Sequence, residues 1–183
     1  MRIIGGERRR KQIVPPRNFR ARPTTDFAKE NLFNVLQNRY DLEEVEVLDL
    51  FSGTGSISYE FASRGATRVV SVEMNPIHQR FIAETARELD FGQILSVKTN
   101  VFVYLRTMAE LEDQRFDIVF ADPPYDMEGI ETLPGLVIGG GFVRKGGIFV
   151  LEHSAEKDFS EYPNFCERRS YGSVQFSFFE PEE

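Results

Sequence analysis

Apolar and polar positions alternate from residue 45 onward between short strand-like runs and longer helix-like segments. The short runs are rich in Val, Ile, Leu and Phe, which is typical of strands buried in a parallel sheet. The segments between them carry apolar residues at helical spacing. The predicted strands cover residues 45–50, 67–72, 94–98, 116–121 and 147–152, and the predicted helices cover 55–65, 76–89 and 101–111.

Strands that alternate with helices predict a mainly parallel sheet with right-handed crossovers and helices on both faces. We therefore expect an α/β fold of the Rossmann-like, doubly wound class. Two further runs at 165–171 and 174–179 predict an antiparallel C-terminal hairpin that closes the sheet. The stretch 128–143 is predicted to be irregular, because Pro134 and the glycines at 139–141 would interrupt a helix.

The first 40 residues have a different pattern, and we expect residues 1–40 to pack as a unit on a main domain formed by 41–183. Residues 1–22 hold eight basic side chains and one acidic side chain, whereas the rest of the chain holds 14 basic and 28 acidic ones. Isoleucines lie between the basic residues and Gly5-Gly6 can turn the chain, so a β-hairpin is predicted. Thr24 or Thr25 is expected to cap a helix that runs to about residue 38.

Composition limits the class of protein. The 183 residues, 41% hydrophobic and 28% charged, fit one soluble globular domain. No apolar run approaches the roughly 20 residues that cross a membrane, and the charged start is unlike a secretory signal, so we expect a cytoplasmic protein without a membrane partner. The single cysteine, Cys166, excludes an intrachain disulfide and a cysteine-cluster metal site, and no metal is expected.

The charge distribution bears on a nucleic-acid partner. The net charge of −7 alone argues against one, but a basic arm on an acidic body can contact phosphates at one end. The alternative is a solvated basic tail that has no partner. The candidate phosphate contacts are Arg8, Arg9, Arg10, Lys11 and Arg22.

The segment Asp122-Pro123-Pro124-Tyr125 ends the fourth predicted strand. Two prolines fix the backbone into a stiff turn, which presents a carboxylate, backbone carbonyls and an aromatic ring at the edge where open α/β sheets bind ligands. An exocyclic amine of a nucleobase is a poor nucleophile, because its lone pair is delocalised into the ring. Oxygen acceptors for its two N–H groups would free that lone pair, and the aromatic ring could stack on the base.

A glycine-containing loop follows the first predicted strand. It reads Asp49-Leu50-Phe51-Ser52-Gly53-Thr54-Gly55, and Glu73 ends the second strand 20 residues after Gly53. An acid at that place can hydrogen-bond ribose hydroxyls. Ser58 stands where a dinucleotide fingerprint has its third glycine, and Asp49 suits an ammonium or a sulfonium better than a diphosphate.

These motifs together resemble class I S-adenosylmethionine-dependent methyltransferases that act on exocyclic amines. The flanking segments resemble, more narrowly, the RsmD-type family of bacterial 16S ribosomal RNA guanine-N2 methyltransferases. The segments that carry this resemblance are Arg2-Ile3-Ile4-Gly5-Gly6, Arg22-Pro23-Thr24-Thr25-Asp26, Leu32-Phe33-Asn34 and Tyr171-Gly172 with Phe176.

The resemblance implies S-adenosylmethionine as the cofactor and ribosomal RNA, in the small ribosomal subunit, as the partner. We expect a monomer. Asp122, Pro123, Pro124 and Tyr125 would form the catalytic turn. Asn100 is also a candidate helix cap. The residues that the resemblance implies around the cofactor are Asp49, Phe51, Gly53, Gly55, Glu73, Met74, Asn100, Val101 and Asp122.

Three alternatives stay open from the sequence. A methyltransferase of the same fold could act on adenine N6 in nucleic acid or on a protein amide. A nicotinamide dehydrogenase is opposed by Ser58 and Asp49. An RNA-binding module without catalysis would not need the glycine loop.

Overall fold

The structure is a computed structural model that describes residues 1–19, 24–109, 111 and 115–182. Its strands are β1 (Glu46–Leu50), β2 (Arg68–Glu73), β3 (Ile94–Lys98), β4 (Phe116–Ala121), β5 (Val143–His153), β6 (Phe165–Tyr171) and β7 (Val174–Phe179). Its helices are α1 (Asp26–Gln37), α2 (Ser56–Ser63), α3 (Pro76–Glu88), α4 (Val101–Met108) and α5 (Leu133–Gly139), with a 3₁₀ turn at Ile130–Thr132.

The strands form one sheet in the order β3-β2-β1-β4-β5-β7-β6. Strands β1 to β5 run parallel, and β7 lies antiparallel between β5 and β6. The strand order reverses between β1 and β4, which is where sheets of this kind bind ligands at the carboxyl ends of their strands. The predicted Rossmann-like, doubly wound sheet with its antiparallel C-terminal hairpin is confirmed.

Helices cover both faces of the sheet, and strand side chains alternate between them. In β4, Ile118 and Phe120 join a cluster with α1, whereas Val119 and Ala121 join a cluster with α4 and α5. Helix α3 packs through Ile82 beside α2 and the N-terminal segment. No helix in the described part of the chain is long and apolar enough to span a membrane.

Two predictions around the start of β5 are wrong. The stretch 128–143 contains helix α5, because Pro134 lies in its first turn, where a missing N–H costs nothing. Strand β5 starts at Val143 rather than at 147, and its register with β4 shifts between Phe116 and Ile118. This irregularity lets the strand continue through a polar segment.

The N-terminal segment reverses direction as the predicted β-hairpin requires, with backbone hydrogen bonds between its two arms, but the pairing is short. In the described residues it forms one isolated antiparallel bridge, between Arg2 and Gln12, instead of two strands. The N-terminal segment docks on α2 through Glu60. The buried carboxylate of Glu60 accepts hydrogen bonds from the backbone N–H groups of Ile4 (2.9 Å) and Gly5 (2.8 Å).

A buried lysine completes this docking. The Nζ of Lys29 lies 3.6 Å from the Glu60 carboxylate and donates a 2.6 Å hydrogen bond to the Arg2 carbonyl. Gly6 has φ +74°, and a Cβ there would lie 1.8 Å from the Ser63 carbonyl oxygen. Gly6 is therefore required for the close approach of the N-terminal segment to α2.

Candidate active site

A cavity of about 610 Å³ opens at the carboxyl ends of β1, β2, β4 and β5. It lies at the reversal of strand order, and most of the predicted site residues line it. These are Asp49, Phe51, Gly53, Glu73, Met74, Asn100, Val101, Asp122, Pro123, Pro124 and Tyr125. The structure thus brings the glycine loop and the Pro-Pro turn, which are far apart in sequence, into one site.

The glycine loop bends sharply between β1 and α2. Phe51 has φ +60°, Gly53 has φ +54° and Gly55 has φ +81°. Gly55 was predicted as a cofactor contact, but it does not line the cavity. A Cβ at Gly55 would lie 2.6 Å from the Tyr59 ring, so this glycine allows α2 to begin close to its own tyrosine.

Asp49 lies at the base of the cavity and is buried. The hydroxyl of Ser58 donates a hydrogen bond to its carboxylate. Ser58 therefore has a defined role at the position where it departs from the dinucleotide fingerprint. Burial raises the pKa of Asp49 to about 7, although the Ser58 hydrogen bond opposes this rise. A cation bound above Asp49 would stabilise its charged form.

Glu73 connects the glycine loop to the end of β2. One carboxylate oxygen accepts a 2.8 Å hydrogen bond from the Gly53 N–H, and the other accepts a 2.7 Å bond from the Asn75 N–H. The carboxylate is thus oriented at the cavity wall, with lone pairs left for a ligand hydroxyl.

Asn100 caps helix α4, as predicted. Its side-chain oxygen accepts from the N–H groups of Phe102 (2.9 Å) and Val103 (3.3 Å), and its amide nitrogen lies 3.6 Å from the Met74 sulfur. Met74, Val101 and Phe51 supply apolar wall to the same part of the cavity. An apolar slot with amide and carboxylate groups at its edges fits a nucleoside.

Asp122 begins the Pro-Pro turn beside β1, and its N–H donates to the Leu50 carbonyl at 3.3 Å. Pro123 is buried, whereas Pro124 and Tyr125 are exposed at the cavity mouth. Burial raises the pKa of Asp122 well above its ordinary value, and the nearby charges of Glu152 and Asp49 raise it further. This carboxylate is therefore a better proton acceptor than an exposed aspartate.

Glu152 is a cavity residue that the sequence reasoning missed. It is buried near the end of β5 and accepts a 2.9 Å hydrogen bond from the Thr24 hydroxyl. Burial raises the pKa of Glu152, and the Thr24 and Tyr125 hydroxyls oppose this rise. In the sequence, the only indication of this role is a single acidic residue at the end of an apolar strand.

Thr24 was predicted as a possible helix cap, but the cap of α1 is Thr25, whose side chain accepts a hydrogen bond from the Ala28 N–H.

The N-terminal arm also reaches the cofactor side of the cavity. The Phe19 ring stacks on His78 at 4.3 Å between centroids, and His78 lines the cavity 4.0 Å from the Glu73 carboxylate. His78 is therefore held by packing.

Among the described residues, no group of three or more His, Cys, Asp or Glu side chains is placed to hold a metal ion.

The predicted phosphate contacts do not lie at the cavity. The Arg8 N–H donates to Ser63 at the end of α2, and its guanidinium donates to the Leu89 carbonyl after α3. Arg9, Arg10 and Lys11 are exposed in the same turn. These basic residues therefore lie near the carboxyl ends of α2 and α3, and the amino ends of these two helices face the cavity. Arg22 lies outside the described residues.

The residues present fit S-adenosylmethionine by the chemistry of their groups. A buried carboxylate, Asp49, suits a cationic ligand, and the oriented Glu73 carboxylate suits ribose hydroxyls. The apolar slot by Phe51 and Val101 suits a purine. A diphosphate would meet the negative charge of Asp49, which argues against a nicotinamide dinucleotide.

Comparisons with known proteins agree with this fit. Residues 1–180 match the protein family described as Conserved hypothetical protein 95. The chain is 28% identical to the ribosomal RNA small subunit methyltransferase D of Escherichia coli K12 over 89% of this chain and 79% of that protein. It superposes with a TM-score of 0.85 on the hypothetical protein TTHA0928 of Thermus thermophilus, at 32% identity, covering 98% and 99% of the two chains.

A more distant structure shares the fold. The T. thermophilus 16S rRNA N2 methyltransferase RsmC, solved with AdoMet and guanosine, gives a TM-score of 0.67 at 23% identity, over 87% of this chain and 44% of that one. The family match extends over nearly the whole chain and includes both the glycine loop and the Pro-Pro turn. The chain belongs to the RsmD-type family of class I S-adenosylmethionine-dependent methyltransferases.

Proposed function

We propose that this protein transfers a methyl group from S-adenosylmethionine to the exocyclic N2 amine of a guanine in the 16S ribosomal RNA of the small subunit. The observation that carries the proposal is that one cavity holds both the glycine-loop residues, including Asp49, and the Asp122 turn. A relative that covers most of the chain is named as a small-subunit ribosomal RNA methyltransferase.

Asp49, Glu73 and Asn100 would hold the methionine, ribose and adenine parts of the cofactor, with Phe51, Gly53, Met74 and Val101 around them. The bound cofactor supplies an activated methyl group on a positively charged sulfur. The chain's own contribution is to bring the acceptor amine into line and to exclude water, which are the main sources of rate in such a transfer.

Asp122 orients the acceptor amine. Its carboxylate would accept a hydrogen bond from an N2–H of a base turned out of its stack, which increases the availability of the nitrogen lone pair. As the N–C bond forms, N2 must lose one proton. The raised pKa of Asp122 makes its carboxylate a suitable acceptor for that proton. Tyr125, exposed at the mouth, offers a ring for stacking.

The proposal extends to the setting of the reaction. We propose a monomeric, cytoplasmic enzyme that uses no metal and acts on the assembled small subunit. The basic turn of Arg9, Arg10 and Lys11 would contact phosphates distant from the target base, because it lies at the other end of α2 from the cavity.

The test is identification of the methylated nucleoside. Purified protein is incubated with radiolabelled S-adenosylmethionine and small subunits lacking the modification, and the RNA is digested and separated. We expect label in N2-methylguanosine. Label in N6-methyladenosine would support adenine as the acceptor. Label on protein only would support the amide alternative.

A further inference from the structure

Glu152 and Asp122 are neighbouring carboxylates on adjacent strands. Ala121 in β4 is paired with Leu151 in β5, so the residues that follow them lie side by side at the edge of the cavity. Glu152 is only 3% exposed, yet it lines the cavity. Its place two residues after Val150 puts it on the face of the sheet that also carries Phe120.

The Glu152 carboxylate is held by a hydrogen bond from Thr24, whose hydroxyl donates to its Oε2 atom at 2.9 Å. The Tyr125 hydroxyl lies near enough to oppose the rise in its pKa. A carboxylate has about four lone-pair positions, so acceptor capacity is left for a ligand in the cavity. No lysine, arginine or histidine is among its hydrogen-bond partners in the described residues.

The buried carboxylate of Glu152 beside the partly buried carboxylate of Asp122 favours a ligand rich in N–H donors. Burial raises the pKa of Glu152, and the charge of Glu152 in turn raises that of Asp122. Donor groups placed between the two carboxylates would lower the cost of keeping both of them ionised. A ligand that presented a lone pair to either carboxylate would raise that cost instead.

We propose that Glu152 determines the specificity for guanine by accepting a hydrogen bond from the ring N1–H while Asp122 accepts one from the exocyclic N2. This proposal rests on the function proposed above. Guanine differs from the other bases that carry an exocyclic amine, because one ring nitrogen next to that amine, N1, bears a hydrogen. Adenine N1 and cytosine N3 present a lone pair at the same place and would face the Glu152 carboxylate unfavourably.

A purely structural role for Glu152 makes a different prediction. Glu152 could serve only to anchor Thr24 and the start of α1. In that case its replacement would lower the rate on every acceptor base by the same factor. A specificity role instead changes the ratio between two bases that differ at N1. This ratio does not depend on how much of the variant is correctly folded.

The experiment compares guanine with 2-aminopurine, which keeps the exocyclic amine but has a lone pair at N1 and lacks the O6 atom. The difference at O6 is the same for every enzyme variant, so a change in preference between variants reports the contact at N1. Small subunits are assembled with either base at the methylated position, and methyl transfer is measured for wild type and Glu152→Gln. Gln can still accept from Thr24, and its amide can donate to the N1 of 2-aminopurine. Glu128→Gln, a site outside the cavity, is the matched control.

We expect wild type and Glu128→Gln to prefer guanine by about 10- to 100-fold, the value of one hydrogen bond to a charged group. Glu152→Gln should reduce that preference by about tenfold or more. An unchanged preference in Glu152→Gln, or equal rates on the two bases in wild type, would overturn the proposal. If wild type places no label on guanine at all, the proposed function fails and this inference fails with it.

Discussion

Thr24 and Glu152 are 128 residues apart in the chain, and the Thr24 hydroxyl donates a buried hydrogen bond of 2.9 Å to the Glu152 carboxylate. This bond joins the start of the α1 segment to the wall of the active-site cavity. The arm that carries the basic residues and the strand that carries Glu152 are thereby held in one arrangement. Replacing Thr24 should therefore affect both stability and catalysis.

Thr24→Val removes the hydroxyl and leaves one lone pair of a buried carboxylate without its donor. We expect a loss of about 1–3 kcal/mol in the free energy of unfolding, together with slower methyl transfer. Urea denaturation and initial rates measure the two effects. Thr24→Ser keeps the hydroxyl and should restore most of both. Equal behaviour of the Val and Ser variants would show that the hydrogen bond has no role.

Asp49 should make the stability of the protein depend on pH. Its pKa is raised from 3.8 to about 7 in the folded state, so the folded state binds more protons than the unfolded chain between about pH 4 and pH 7. The contribution of Asp49 to stability therefore falls as pH rises through this window. Asp49→Asn should remove that fall, so the variant should gain stability relative to wild type as pH rises from about 4 to about 7, and the gain should stay constant above that.

Urea denaturation without cofactor at several pH values across this window checks the prediction. Glu156→Gln, an exposed carboxylate, should follow the wild-type curve. Parallel curves for wild type and Asp49→Asn would contradict the assigned pKa. Calorimetry should in addition show weaker binding of S-adenosylmethionine to Asp49→Asn, since the variant lacks the negative charge.

Gly6 should be required for docking of the N-terminal segment. Gly6→Ala places a Cβ 1.8 Å from a backbone oxygen at φ +74°, whereas Gly172→Ala meets nothing within 4 Å at a similar φ of +64°. The control therefore carries only the backbone strain, of about 1 kcal/mol. We expect Gly6→Ala to cost at least about 1 kcal/mol more than Gly172→Ala in thermal or urea unfolding. Equal losses would mean that the close approach is not maintained in solution.

The basic turn should govern the salt dependence of RNA binding. Replacing Arg9, Arg10 and Lys11 by Ala together should reduce the slope of log affinity against log salt by about two to three, since each phosphate contact contributes about 0.7–0.9. Filter binding to small subunits at several salt concentrations measures the slope. The exposed Arg106 in α4 provides the control substitution. An unchanged slope would show that the basic turn is solvated and does not contact phosphates.

Much of the fold follows from local pattern, because the buried strands are short apolar runs and several helices carry their own caps. The described elements other than β5 and α5 lie close to their predicted bounds. Helix α5 was missed because Pro134 was treated as a helix breaker, although the first turn tolerates it. The start of β5 was missed because pairing with β4 decides it, against a polar local sequence.

The site was predictable only where its residues form motifs. Asp49, Glu73 and the Asp122 turn stand at strand ends, so their meeting at one edge follows from a parallel sheet. Glu152 also ends an apolar run, but its role depends on Thr24 and Tyr125, which no local spacing connects. The position of the basic turn could not be predicted either, because it depends on the buried Glu60 contacts.

The most direct test of the central claim is methyl transfer by Asp122→Ala beside wild type. Single-turnover rates are measured with labelled S-adenosylmethionine and unmodified small subunits, and cofactor affinity is measured by calorimetry. We predict a loss of at least about a hundredfold in N2-methylguanosine formation, with cofactor affinity changed by less than about threefold. An unchanged rate, or a loss of cofactor binding as large as the loss of rate, would contradict the assignment of Asp122 to the acceptor base.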